Sequence, residues 1–143
     1  MARYEVWTHG ADTVVEFPTR ATEIRHAGFG TQVRQPAGST NWFHFALPAI
    51  TVIDGRATAV REIRLRATAN ENARIDILHF RIDGRPLSFA RNVSFTDRTV
   101  NEAIQIADTP AVGGLVLSVH ATFLDGSTLG SVVFQGAGVV LLT

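Results

Sequence analysis

At 143 residues, 45% of them hydrophobic, the chain is long enough for one domain with a substantial core and short for two. Thirteen basic and thirteen acidic residues cancel, so the electrostatic footprint of a general nucleic-acid binder is missing; every basic residue is Arg, which excludes chemistry that needs a lysine. With no Cys there are no disulfides, thiolate nucleophiles or thiolate metal sites.

Met1-Ala2-Arg3 leads straight into an alternating segment without the apolar stretch of a signal peptide, and no apolar run is long enough to span a bilayer. A soluble single domain over residues 1–143 is expected, with no membrane insertion and the cytoplasm favoured. The Ala- and Arg-rich usage points to a GC-rich bacterial source. Arg3 to Thr8 alternates Tyr4, Val6 and Thr8 against Arg3, Glu5 and Trp7, the beat of a strand. His9-Gly10-Ala11-Asp12 then turns the chain into Thr13–Phe17, a strand stopped by Pro18, and the two read as a hairpin. Residues 19–39 are turn-rich, with one short strand at Thr31–Arg34.

The segment Asn41–Pro48 predicts a strand that sends Asn41, Phe43, Phe45 and Leu47 to a core face and Trp42, His44 and Ala46 to the other. Three Asp-Gly pairs follow, at 54–55, 83–84 and 125–126; Asp-Gly favours the positive φ of tight turns, so each signals a hairpin. Ala59–Ala69 reads as a strand with one charged face, turned by Asn70-Glu71-Asn72 into Ala73–Ile82, which is apolar on both faces. Shorter strands are expected near Leu87–Phe89 and Val93–Thr96, and from Glu102 to Ile106, where a helical turn is the competing pattern. Gly114–Leu124 is a strand with Ser118, His120 and Thr122 outward. Leu129–Gln135 and Val139–Thr143 are final strands separated by Gly136-Ala137-Gly138, a bulge or bend. Nine to eleven short strands predict an all-β fold: an antiparallel two-sheet β-sandwich, jelly-roll or immunoglobulin-like, with a closed β-barrel as the alternative.

Both Trp residues stand in a Trp-x-His pair, Trp7-Thr8-His9 and Trp42-Phe43-His44. If their strands are neighbours in one sheet, the indoles share a face, and an indole offers a flat surface for a sugar ring. Trp7, His9, Asn41, Trp42 and His44 are therefore the candidate ligand-binding residues. His9, His44 and His120 also fall on non-core faces and are weak metal candidates, although no compact ligand spacing accompanies them. No nucleophile elbow surrounds any Ser, and no catalytic residue is assigned. Residues 56–98 hold nine Arg against five acids and residues 99–143 three acids and no Arg, an asymmetry compatible with self-association but more simply a solvated sheet face. The reading favoured by sequence is a non-catalytic binding or assembly module, without a cofactor, whose partners are a second copy of itself, aided by the apolar end Val139–Leu142, and a glycan or other small ligand. The alternative is a small metal-dependent enzyme or metal-binding domain using surface His.

Overall fold

Two strands, β8 (Ala59–Ile82) and β9 (Phe89–Pro110), are long enough to belong to two layers at once, and the rest of the chain is arranged on them. The structure, a computed structural model, describes residues 2–83 and 89–143. The expected strand start at Leu87 and the Gly84 half of the second Asp-Gly turn lie outside the described residues. The other strands are β1 (Arg3–His9), β2 (Val14–Val15), β3 (Glu23–Ala27), β4 (Gly30–Gln35), β5 (Thr40–Leu47), β6 (Val52–Ile53), β7 (Arg56–Ala57), β10 (Leu115–Phe123) and β11 (Gly130–Leu142). All pairings are antiparallel, and nine strands form one curled sheet with β6 and β7 a separate hairpin. No helix among the described residues is long and apolar enough to cross a membrane.

The curl makes a sandwich. In the first layer β11 lies between the first half of β8 (59–69) on one side and β4 followed by β1 on the other, with β3 outside β4 and the second half of β9 outside β8. The second layer runs β2, β5, β10, the second half of β8 (73–82) and the first half of β9. Phe134 of the first layer packs against Phe43 and Phe45 of the second, with ring centroids 4.7 and 5.3 Å apart, so the core lies between the layers. The sheet is not closed, because β2 and β3 stand at its open ends, and the barrel alternative falls.

β8 changes layer at Asn70–Ala73, where four of its residues oppose only Asp97 of β9. Asp97 has φ +50°, the left-handed region that such a bend requires. The Asn side chains tie the bend down. Asn70 donates to the Leu129 carbonyl and accepts from the Ser131 N–H, while Asn72 donates to the Thr128 carbonyl. Asn70-Glu71-Asn72 is thus a bend within one strand, not a turn between two.

Several local expectations are corrected in the same way, by partners remote in sequence. β1 pairs with β11 rather than with the next strand; a 3-10 turn at Gly10–Asp12 carries the chain to the other layer, where β2 pairs with β5. Residues 19–39 contain a full hairpin, β3 and β4, of which only the second strand was expected. Asp54-Gly55 makes the expected tight turn, with φ of +50° and +74°. Asp125-Gly126 does not, since β10 and β11 do not pair and the chain passes there from the second layer to the first. The strand favoured for Glu102–Ile106 is present, within β9; Gly136-Ala137-Gly138 does not separate two strands, since β11 runs through it, but the expected irregularity is there as a register shift between Phe134 and Gly136.

Candidate functional site

The centre of the second layer, seen from outside, is a grid. Residues paired across an antiparallel ladder point to the same side, so β5, β10 and β8 present three rows: Ala46, Val116, Arg81; then His44, Ser118, His79; then Trp42, His120, Ile77. The inward residues between them, Phe43, Phe45, Leu117, Val119, Leu78 and Phe80, form the core and make the outward pattern obligatory. Ser118 is the smallest side chain of the middle row. The Trp42 indole, partly exposed, leans over it, with its centroid 4.9 Å from the His79 ring and 4.8 Å from that of His120. Strands sit nearly 5 Å apart, so a β5 side chain touching one on β8 has crossed the whole of β10.

A bulge supplies one further group. Asp76 and Ile77 together oppose His120 and both face outward, so the Asp76 carboxylate shares the outer face with His79 and Arg81. It accepts from His120 Nδ1 and from the Thr122 hydroxyl, both at 2.6 Å. His44 is held at both nitrogens: 3.1 Å from Nε2 to Glu16 Oε1 and 2.7 Å from Nδ1 to Ser118 Oγ. A carboxylate only accepts, so Nε2 donates to Glu16, and in the neutral ring Nδ1 accepts from the Ser118 hydroxyl. Glu16, Trp42, His44, His79, Arg81 and Ser118 line a shallow concavity of about 250 Å³. His79 is held below the usual imidazole value, first by burial and then by the charges of Arg81 and His120.

Ser118, His44 and Glu16 stand in the order nucleophile, base, acid. The hydroxyl is nevertheless on a central strand, in a residue only 5% exposed, and ladders on both sides engage the backbone around it. Among the described residues, the ladders leave no pair of free backbone donors beside Ser118 to receive an oxyanion. The hydrogen bonds instead fix the His44 ring and, through it, the floor beneath Trp42.

The five sequence-derived ligand residues do not come together. Trp42 and His44 are in the grid. Asn41, their neighbour, faces inward and is 0% exposed, its side chain bonded to Gln35, to Phe17 N–H and carbonyl, and to the Trp42 N–H. Trp7 and His9 lie on β1, in the first layer, so the two indoles face opposite sides of the molecule. The Trp7 ring rests on Gly136 and Gly138, the Arg66 guanidinium stands over it at 4.5 Å, and its Nε1 donates to Glu5. That indole is occupied by its own protein. His9 accepts from Ala11 N–H through Nδ1 and bonds the Gly28 carbonyl through Nε2, capping the turn after β1. His9, His44 and His120 therefore do not converge, and among the described residues no three His, Asp or Glu side chains are grouped to hold a metal ion. His79, Arg81, Asp76 and Glu16 were not among the expected site residues. Only the bulge at Asp76–Ile77, which no local pattern announces, places His79 and Arg81 on the same outer face as Asp76.

The comparisons with known proteins add the following. The model of a family described as "Family of unknown function (DUF6623)" matches residues 1–78. No curated protein matches the chain. Among solved structures, the chain is similar to TmCBM61 in complex with β-1,4-galactotriose, with TM-score 0.52 and 14% identity over 94% of this chain and 90% of that one. It is similar also to a family two carbohydrate esterase from Cellvibrio japonicus, with TM-score 0.52 and 8% identity over 97% of this chain and 34% of that one. The insecticidal crystal protein Cry2Aa gives TM-score 0.51 and 16% identity over 95% of this chain and 21% of that one. At these identities the likeness is one of fold, and the shared fold is the jelly-roll type of β-sandwich expected from the strand pattern. None of these likenesses supports the expected cytoplasmic location.

Proposed function

The chain belongs to the DUF6623 family of unknown function, whose match ends just before His79, and from that footing we propose that it is a non-catalytic carbohydrate-binding module. Its ligand surface is the outer face of β5, β10 and β8. The observation that carries the reading is the partly exposed Trp42 indole set against the His79 and His120 rings above a rigid sheet. Sugars present apolar C–H faces and rims of hydroxyls; an indole packs against the first, and imidazole, carboxylate and guanidinium groups bond the second. His44 and His120 are each pinned by a carboxylate, so their orientations are set before a ligand arrives. The fold shared with TmCBM61 supports the reading at the level of scaffold only.

A glycan array followed by calorimetry tests this. The wild type is expected to retain a defined set of glycans, and Trp42→Ala to lose at least about tenfold in affinity, as for a buried aromatic anchor. Trp7→Ala serves as the discriminator. Loss on Trp7→Ala with retention on Trp42→Ala would move the surface to the opposite layer and sink the assignment.

A further inference from the structure

The acids of the Trp42 face are already engaged, and its cationic side is not. Glu16 accepts from His44, and Asp76 accepts from His120 and Thr122. His79 and Arg81, two residues apart on β8 and therefore on the same side of the sheet, have no acidic partner within ion-pair distance among the described residues. Arg3, Arg34, Arg61, Arg64 and Arg98 each meet a carboxylate, and Arg20, Arg25 and Arg66 stand over aromatic rings of the protein itself; among the described residues Arg81 does neither, yet it lies beside an indole and an imidazole in one concavity. Arg81 lines the same concavity as Trp42 and His79, and its charge works against protonation of the His79 ring. On the outer face, the β9 residues near His79 are Ala90 and Asn92, and the β10 residues are Val116, Ser118 and His120, so no carboxylate approaches from those strands.

We infer that the glycan bound on this face is acidic, with a sugar ring against Trp42 and its carboxylate received by the Arg81 guanidinium and the His79 ring. This rests on the carbohydrate reading of the same surface. The chemistry is specific: a guanidinium offers paired N–H donors at the spacing of two carboxylate oxygens, whereas the hydroxyls of a neutral sugar accept from it one by one and bring no opposite charge. A carboxylate placed there also supplies the ion-pair partner that Arg81 lacks, Glu16 and Asp76 being bonded to His44 and His120, and favours the protonated form of His79.

The experiment compares three probes of equal length by calorimetry: oligogalacturonate, the same oligomer fully methyl-esterified, and β-1,4-galacto-oligosaccharide. The first two share backbone and length and differ at the carboxylate alone, which the ester neutralises and caps with a methyl group. The acid form is expected to bind about tenfold more tightly than its ester, the scale of one charge-assisted hydrogen bond, and to weaken as salt is added. In Arg81→Gln, an exposed position whose folding a thermal melt checks, acid and ester are expected to bind alike; Trp42→Ala weakens both. Equal binding of acid and ester by the wild type, both lost in Trp42→Ala, overturns the acidic preference and leaves the carbohydrate reading standing. Absence of binding to all three at millimolar concentration overturns both.

Discussion

At position 138 a methyl group would lie 2.8 Å from the Trp7 ring and 2.9 Å from the Val6 carbonyl oxygen, so the indole lies flat on β11 only because that residue is Gly. Gly138→Ala is expected to lift Trp7 away from Arg66 and destabilise the fold by about 1–3 kcal/mol, the usual range for overpacking. A lowered melting temperature with a red-shifted tryptophan emission would register this; an unchanged melt would mean that the ring has room to move. The repeated Trp-x-His spacing was visible in the sequence, and strand alternation set each indole apart from the core face of its own strand, with both indoles more simply covered by the protein or a partner. What it did not contain is that one indole has a glycine floor and an arginine roof and the other does not. Likewise, plain alternation from Ile75 puts His79 and Arg81 with the apolar set Ile75 and Ile77; the extra residue at Asp76 inverts the beat, and Leu78, Phe80 and Ile82 take the core instead.

At the scale of elements, β1, β8 and β9 meet in the first layer around Glu62. Its carboxylate, in a residue 6% exposed, is bonded by Arg3 and Arg64 and lies opposite Gln105 on β9. Gln105 first, then Arg3, and to a lesser degree Arg64 hold it at about 2, against an ordinary 4.5, while burial works in the opposite sense. A depressed folded-state value means that the unfolded chain binds the proton more readily. The contribution of Glu62 is therefore complete above about pH 4.5 and disappears as the pH falls from there toward 2. Denaturant melts at pH 7, 4 and 2.5 should show the wild type losing stability down this series. Glu62→Gln should start lower and lose less, and parallel losses in the two proteins would refute the assignment. The charged face of β8 that creates this cluster was legible as alternating Arg and Glu. Its partners were not, because Arg3 and Gln105 arrive from strands 59 and 43 residues away in the chain.

For the whole molecule, the all-β sandwich was legible because turn residues and the two-residue beat are local, whereas strand order is set by pairings such as β1 with β11, which join the two ends of the chain. The expectation of self-association drew on the apolar end Val139–Leu142. That segment is buried between β1 and β8 and offers nothing to a second copy. The basic middle and acidic end also meet within the chain, at Arg61 and Asp108. The long edge left open is β9, which carries exposed Arg91, Asp97, Arg98 and Asp108 and a positive-φ break at Asp97, features that discourage edge-to-edge pairing. Sedimentation at micromolar concentration is accordingly expected to give a monomer, and a concentration-dependent dimer would contradict this reading of the edge.

β8 supplies hydrogen bonds to both layers through one uninterrupted backbone, and its second half carries His79, Arg81 and Asp76. The one place where it bends, Asn70–Ala73, is fastened to the first layer by the Asn70 and Asn72 side chains, so the two layers are set against each other at that bend. The outer face that carries Trp42 is thus built on the same strand that holds the opposite layer.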